Sequence, residues 1–249
     1  MSNFVFVALA CLLAVSAFTD AAACGDANKF KLCYNKYMES FDVGTSPWPE
    51  YRAFKMIREV LLVEKGPAGQ TVECNYQNEL ISCLGDLAAD CVSTDNFVST
   101  FAVSTADAAN YVEDYYMMQY TCNDGFQDAI KYFYCMEQVG LYYVNKLEKC
   151  SSDKAAALQS NPNDCTAYNT FVTCMVDAFV SHCGADITKY MCNLEVDGAV
   201  AAVPQCKSQI QTCPTTYNFV DVVFKPTYTR KQAMRQAFQR LQRGGQIFP

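Results

Sequence analysis

Apolar residues recur at intervals of three and four along most of the chain, which is the spacing typical of helices with one buried face. The first such stripe lies in KFKLCYNKYMESF at residues 29–41. The second covers 50–64 and is ended by Gly66-Pro67. Further stretches with this spacing lie at 72–91, 104–120, 126–148 and 165–183. Strand-like alternation is almost absent, with VDVVF at 220–224 the best candidate, so the pattern predicts an all-α protein.

Two sequence signals indicate where helices begin. Ser104 or Thr105 is a suitable N-cap for the helix that runs to about Tyr120. Asn161-Pro162-Asn163-Asp164 is a turn sequence directly before the helix predicted at 165–183. We therefore expect separate helices joined by short turns.

The cysteines predict how these helices are held together. The chain has 15 cysteines, and all but Cys11 follow the apolar N-terminal run. The remaining fourteen are Cys24, Cys33, Cys74, Cys83, Cys91, Cys122, Cys135, Cys150, Cys165, Cys174, Cys183, Cys192, Cys206 and Cys213. No two of them have the close spacing of a zinc site, and there is a single histidine, so we expect up to seven disulfides and no metal.

Several cysteines are nine positions apart, as in Cys74 with Cys83 and Cys165 with Cys174. Nine residues at about 100° each place two side chains on opposite faces of one helix. Such a pair cannot bond to itself along a straight helix, but it can join that helix to two different neighbours. The fold predicted is a disulfide-cross-linked helical bundle whose pairing the sequence leaves open.

The cysteine pattern also suggests an internal duplication. ECNYQNELISCLGDLAADC at 73–91 aligns with DCTAYNTFVTCMVDAFVSHC at 164–183, and a Cys-Asn pair follows each segment. We predict two related cysteine-rich helical units, at 24–150 and 151–221, the first including an N-terminal part-unit at 24–70.

The N-terminal 23 residues have the pattern of a signal peptide. An uncharged apolar run at 4–18 is shorter than the roughly 20 residues of a membrane span, and Ala21 and Ala23 suit cleavage before Cys24. A lipoprotein with a lipid on Cys24 is an alternative interpretation. No later stretch reaches membrane length, so we expect a secreted, soluble, extracellular protein with no transmembrane segment.

Charge divides the chain into two parts. Residues 24–221 carry 13 basic and 25 acidic side chains, whereas residues 222–249, here called the tail, carry six basic side chains and no acid. These six are Lys225, Arg230, Lys231, Arg235, Arg240 and Arg243. In the tail, Ala233, Met234, Ala237, Phe238 and Leu241 fall on one helical face. Three interpretations stay open: the helix docks on the acidic body, it binds a polyanion or acidic partner, or it is cleaved at Arg230-Lys231.

Signals for catalysis are weak. His182 is the only histidine, and it lacks the neighbours of known histidine-dependent sites, so we interpret it as a helix-surface residue. Acidic side chains such as Glu113, Asp114, Asp86 and Asp177 stand in no recognisable motif. Calcium-binding and nucleotide-binding loops are absent from the sequence, so we expect no cofactor and no enzyme activity.

Sixteen tyrosines and sixteen phenylalanines cluster on the predicted helices, mainly at 111–120 and 132–143. They suit a packed core, and alternatively the wall of a cavity for a hydrophobic ligand. The repeated Cys-x8-Cys segments over residues 24–213 resemble secreted cysteine-rich helical domains of unknown function from nematodes and other invertebrates. The resemblance implies an extracellular location and disulfides.

Taken together, these features predict a secreted extracellular interaction or matrix-type structural protein without catalytic activity. Its partner would be a protein or an extracellular polyanion and not a nucleic acid. The first alternative is an extracellular carrier of a small hydrophobic molecule, and the second is a hydrolase that uses carboxylates alone.

Overall fold

The computed structural model describes residues 24–161, 164–214, 226–243 and 247–248. Within these ranges the chain forms eleven α-helices and no β-strand, which confirms the all-α prediction. The helices are α1 (Ala27–Glu39), α2 (Tyr51–Lys65), α3 (Pro67–Leu84), α4 (Ala88–Cys91), α5 (Thr94–Phe101), α6 (Thr105–Cys122), α7 (Phe126–Tyr142), α8 (Val144–Ser160), α9 (Cys165–Cys183), α10 (Thr188–Ala202) and α11 (Arg230–Gln242). The strand candidate at 220–224 and the proposed signal peptide at 1–23 lie outside the described residues.

Local sequence signals set several helix boundaries. The Ser104 hydroxyl accepts a hydrogen bond from the backbone N–H of Asp107 at 3.0 Å, so Ser104, not Thr105, is the N-cap of α6. Asp164 caps α9 in the same way. Gly66 has a φ of +63°, a conformation that favours glycine, and it separates α2 from α3. The capping signals in the sequence therefore mark the actual starts of α6 and α9.

The aromatic stretch at 126–148 falls on two helices. α7 ends at Tyr142, and Tyr143 has a non-helical conformation with a φ of −122°. The chain then turns into α8, which packs alongside α9. This turn brings Cys150 to Cys174, a partnership that helical periodicity alone does not reveal.

The fourteen cysteines from Cys24 to Cys213 form seven disulfides in two closed sets. The first set is Cys24–Cys91, Cys33–Cys83 and Cys74–Cys122. The second set is Cys135–Cys183, Cys150–Cys174, Cys165–Cys206 and Cys192–Cys213. None of the seven bridges joins one set to the other.

The bridges confirm that cysteines nine positions apart tie one helix to two neighbours. In α3, Cys74 bonds to α6 and Cys83 bonds to α1. α9 is likewise tied to α8 through Cys174 and to α7 through Cys183. Each of these two helices is therefore fixed from opposite sides, which holds the bundle together covalently.

Both sets follow one pairing order. In the first set, the first cysteine bonds to the fifth, the second to the fourth and the third to the sixth. The second set repeats this order once the additional pair Cys192–Cys213 is set aside. Linear spacing groups Cys135 and Cys150 with the first unit, whereas both bond to α9 in the second set. Cys24, which the lipoprotein interpretation would modify, bonds to Cys91.

Two large hydrophobic cores fill most of the described bundle, and Cys74, Met118 and Cys122 form a third, small cluster. The first is strongly aromatic and lies among α1, α2, α5 and α6, where the Phe97 and Tyr111 rings stack with centroids 5.5 Å apart. The second lies among α7, α9, α10 and α11 and includes Phe133, Val172 and Phe179. The interpretation of the aromatic residues as core is therefore correct for most of them. A group of buried charged residues lies close to both cores.

Candidate functional site

A buried ion-pair cluster links α2, α3 and α6. The guanidinium of Arg58 in α2 donates through Nη1 to Asp114 Oδ2 at 2.5 Å and through Nε to Glu73. Tyr51 donates its hydroxyl to the other oxygen of Asp114 at 3.1 Å, and Gln70 donates to Glu73 at 3.4 Å. All five residues are less than 10% exposed. Each charge in the cluster thus has a partner, which is the condition for burying charges at tolerable cost.

Burial and pairing act in opposite directions on these groups. Burial raises the pKa of Glu73, and the guanidinium of Arg58 opposes that rise. Burial lowers the pKa of Arg58, but Asp114 and Glu73 outweigh it, so the pKa of Arg58 stands well above its ordinary value. Arg58 is therefore a fixed positive charge, and the two carboxylates are arranged around it.

A cavity of about 50 Å³ lies beside this cluster. Its wall combines polar groups with Met117, Met118, Met136, Leu194 and Phe248. Small-molecule pockets are typically about 300–1,000 Å³. A cavity of this size has room for a few water molecules, and its carboxylates are already engaged by Arg58 and by backbone N–H groups. Neither ligand carriage nor acid–base chemistry is favoured by this geometry.

The tail docks on the body through an ion pair at the start of α11, in which a half-buried arginine meets a buried carboxylate. Arg230 reaches Glu137 of α7 with two parallel hydrogen bonds, of 2.5 and 2.7 Å, and also donates to the carbonyl oxygen of Val63. Glu137 is fully buried, and Tyr228 donates its hydroxyl to the same carboxylate. A two-pronged contact between a guanidinium and a carboxylate fixes orientation as well as position.

Past α11, the described residues Ile247 and Phe248 return to the core. Both donate backbone N–H groups to Glu59 Oε1, at 2.9 and 3.3 Å. Burial raises the pKa of Glu59, and these two N–H groups are among the contacts that lower it. The Phe248 ring packs on Phe133 with centroids 5.2 Å apart and closes one side of the cavity. The tail is thus an integral part of the second core.

Gly140 in α7 makes this close approach feasible. A Cβ atom at Gly140 would stand 1.4 Å from the carbonyl oxygen of Ile247, so any side chain there would overlap the tail backbone. Together with Glu59, Phe133, Glu137 and Glu148, this glycine forms what we call the tail groove. Arg240 completes the docking by pairing with Glu148 at 2.7 Å.

The tail helix has an outward face as well as a docked one. Ala233 and Ala237 are buried, whereas Lys231, Arg235 and Phe238 are exposed at positions one and two turns apart. The apolar face predicted from the sequence is thus only partly buried, since Phe238 is 52% exposed. The outward face therefore presents two cations beside an aromatic ring.

The structure separates the six predicted binding cations into two groups. Arg230 and Arg240 are engaged in ion pairs with the body. Lys231, Arg235 and Arg243 are exposed, while Lys225 lies outside the described residues. The sequence interpretation treats all six alike, because a helical pattern does not reveal which cation meets a buried carboxylate.

The structure places the candidates for catalysis in different surroundings. His182 is exposed and stacks on the ring of Tyr143 at 3.9 Å, as expected of a surface residue. Asp86 and Asp177 are exposed, and Glu113 pairs with Lys154 at 3.7 Å. Over the described part of the chain, no group of three or more histidine, cysteine or acidic side chains is arranged to hold a metal ion.

A further buried acid is Glu195 in α10. Its Oε1 atom is buried without a hydrogen-bond partner among the described residues. Burial raises the pKa of Glu195 to about 7, Lys154 lowers it and Glu113 raises it. The pKa of the Glu195 carboxyl therefore stands well above that of an exposed glutamate.

The sequence interpretation missed Arg58, Glu59, Glu73, Glu137 and Glu195 as buried charges. One signal is present for Arg58, which stands four positions after Phe54 and four before Leu62 on the buried face of α2. A charged residue inside an apolar stripe indicates a partner on a neighbouring helix. No comparable local signal identifies which carboxylate that partner is.

None of the helices described combines the length with the apolar character that crossing a membrane requires. Compared with known proteins, the chain matches no protein-family model, no curated protein and no solved structure.

Proposed function

We propose that this chain is a secreted extracellular interaction or matrix-type protein without a catalytic role, and that it binds an anionic partner through the outward face of α11. The observation that carries the proposal is the exposure of Lys231, Arg235 and Phe238 on a helix whose other face is buried. Arg230 anchors the start of that helix to the body, and Ile247 anchors the chain beyond its end. The charged surface is therefore held in a fixed orientation.

Several features support an extracellular setting for this proposal. Disulfides persist in oxidising compartments, and seven of them use every cysteine from Cys24 to Cys213. Each would contribute roughly 2–4 kcal/mol, though not additively, which suits a protein that must last outside the cell. The signal-peptide pattern at 1–23 and the resemblance to secreted invertebrate domains agree with this setting.

The chemistry of the outward face favours an anionic partner such as a sulfated polysaccharide or an acidic protein surface. The body carries an excess of acidic side chains and repels such a partner, so attraction is confined to the tail. Two exposed cations one helical turn apart can each meet one anionic group, and Phe238 adds apolar contact. The carrier alternative would need a far larger cavity than the one of about 50 Å³ beside Arg58.

Retention on immobilised heparin, measured with the full chain, tests the proposal. Lys231→Glu/Arg235→Glu should weaken binding at least about tenfold, which corresponds to about 1.4 kcal/mol. The matched control is Lys29→Glu/Lys36→Glu, which changes the same charge on two exposed positions of α1. Equal loss in both variants, or no loss in the first, would contradict a tail-specific site. Charge reversal is preferable to deletion, because Ile247 and Phe248 belong to the core.

A further inference from the structure

We propose that the tail groove also receives the tail of a second copy of this chain, so that two copies assemble by exchanging tails. The groove is a built receptor for a segment of defined chemistry. It offers Glu137 to a guanidinium, Glu59 to two consecutive backbone N–H groups, and Phe133 to an aromatic ring. The tail supplies all of these, and any copy of the chain carries both halves of the interface.

The covalent framework of the molecule leaves the tail separable from the body. All seven disulfides lie between Cys24 and Cys213, and residues 214–249 contain no cysteine. Two groove walls, α7 and α8, are each tied to α9 by a bridge, and the third, α2, is held to α3 and α6 through Arg58. The groove can therefore keep its shape when the tail leaves it.

Charge complementarity favours docking in either copy. The described groove contributes Glu59, Glu137 and Glu148, whereas the tail has six cations and no acid. Covalent geometry allows residues 215–225 a reach of at most about 40 Å when fully extended. The contacts of the exchanged tail would be those already described.

Concentration decides which arrangement dominates. A tail joined to its own body by a short connection sees its groove at an effective concentration on the order of millimolar. The unaltered chain is therefore expected to be monomeric at micromolar concentration and to exchange tails as its concentration approaches the millimolar range. A test should remove docking within one copy while keeping docking between copies.

Two complementary variants of the full chain do this. Gly140→Ala blocks the groove, because its Cβ would overlap the carbonyl of Ile247, while alanine suits the helix α7 itself. Arg230→Glu spoils the tail by placing a carboxylate against Glu137 but leaves the groove intact. Each variant alone therefore lacks one contact on which the docking of its own tail in its own groove depends. In a mixture, the tail of the first can dock in the groove of the second.

The expected result at micromolar concentration is a species with the mass of two chains in the mixture, and monomers in each separate sample, measured by light scattering after size exclusion. Replacing Arg230→Glu by Lys231→Glu gives the matched control, since Lys231 is exposed and that variant keeps its own tail docked. Monomers alone in the complementary mixture would overturn the proposal.

A second measurement covers the case in which either variant fails to fold. Natural and isotope-labelled preparations of the unaltered chain are combined at millimolar concentration, incubated and examined by native mass spectrometry. Dimers with one chain of each mass are expected, and their absence overturns tail exchange. The outward face of α11 takes no part in docking, so Lys231→Glu/Arg235→Glu should weaken heparin retention and leave dimer formation unchanged. The two proposals can therefore fail separately.

Discussion

Arg58 and Asp114 are 56 positions apart in the chain, yet the guanidinium and the carboxylate meet in the interior with 2.5 Å between Nη1 and Oδ2. The same guanidinium also binds Glu73, so one side chain of α2 ties down α3 and α6. Neither α2 nor this contact involves a cysteine. The ion-pair cluster therefore holds α2 to α3 and α6, as disulfides hold α3 to α1 and α6.

Replacing Arg58 should be strongly destabilising. Arg58→Met leaves two buried carboxylates without their cation, and the expected loss is about 3–5 kcal/mol of unfolding free energy. Chemical denaturation of the oxidised protein measures this loss. Arg52→Met, on the exposed side of the same helix, should change stability by less than about 0.5 kcal/mol. Adding Glu73→Gln and Asp114→Asn to Arg58→Met should recover part of the loss, and no recovery would contradict the charge argument.

Glu195 should make stability fall as pH rises towards neutrality. Its pKa is about 7 in the folded protein against an ordinary value of 4.5, so the folded state binds the proton more tightly. The stabilisation is complete below about pH 4.5 and is lost as pH rises through about 7, with a total of up to about 3 kcal/mol.

Glu195→Gln should remove this dependence. The difference in unfolding free energy between variant and unaltered protein is expected to grow between about pH 4.5 and 7 and then stay constant. Glu39→Gln, at an exposed position of α1, is the control and should show no such trend. Parallel curves for Glu195→Gln and the unaltered protein over this interval would show that Glu195 titrates as an ordinary carboxyl.

The capping of α6 offers a comparison between adjacent positions. Ser104→Ala removes the hydroxyl that accepts the N–H of Asp107 and should cost about 1 kcal/mol of unfolding free energy. Thr105→Ala lies one position later, is exposed and should be nearly neutral. Thermal unfolding of the two variants decides the matter, and a larger loss for Thr105→Ala would reverse the assignment of the cap.

The disulfide pairing predicts a specific set of linked peptides. Mass spectrometry of the digested, non-reduced protein should find Cys135 linked to Cys183 and Cys150 linked to Cys174. It should find no peptide that joins a cysteine of 24–122 to one of 135–213. Such a cross-set link in the native protein would refute the two closed sets.

Much of the framework could be predicted from the sequence because it depends on local periodicity. The nine-residue spacing of Cys74 and Cys83 correctly implies two partner helices, since helical geometry alone fixes the angle between the side chains. The identity of those partners depends on how helices pack over distance. For this reason spacing groups Cys135 with the wrong cysteines. Its partner Cys183 is 48 positions away in the chain, although the two Cα atoms are only 5.8 Å apart.

Prediction from the sequence has the same limit for the tail, since its contacts also depend on how distant helices pack. Its helix and its charge are evident from the sequence, and α11 at Arg230–Gln242 confirms the helix. The division of its cations into docked and exposed ones depends on Glu137 and Glu148, which lie more than 90 positions away. A charged residue on an apolar stripe, as Arg58 is in α2, is the kind of signal that can locate such sites in advance.

The closed bridge sets have a consequence for the order in which the chain can mature. The first three disulfides use no cysteine beyond Cys122, so the six thiols that they need are all synthesised before Cys135. Synthesis from the N-terminus then limits how many wrong partners each new thiol meets. A chain with fourteen cysteines has a very large number of conceivable pairings, and the separation in time reduces the search to six cysteines followed by eight.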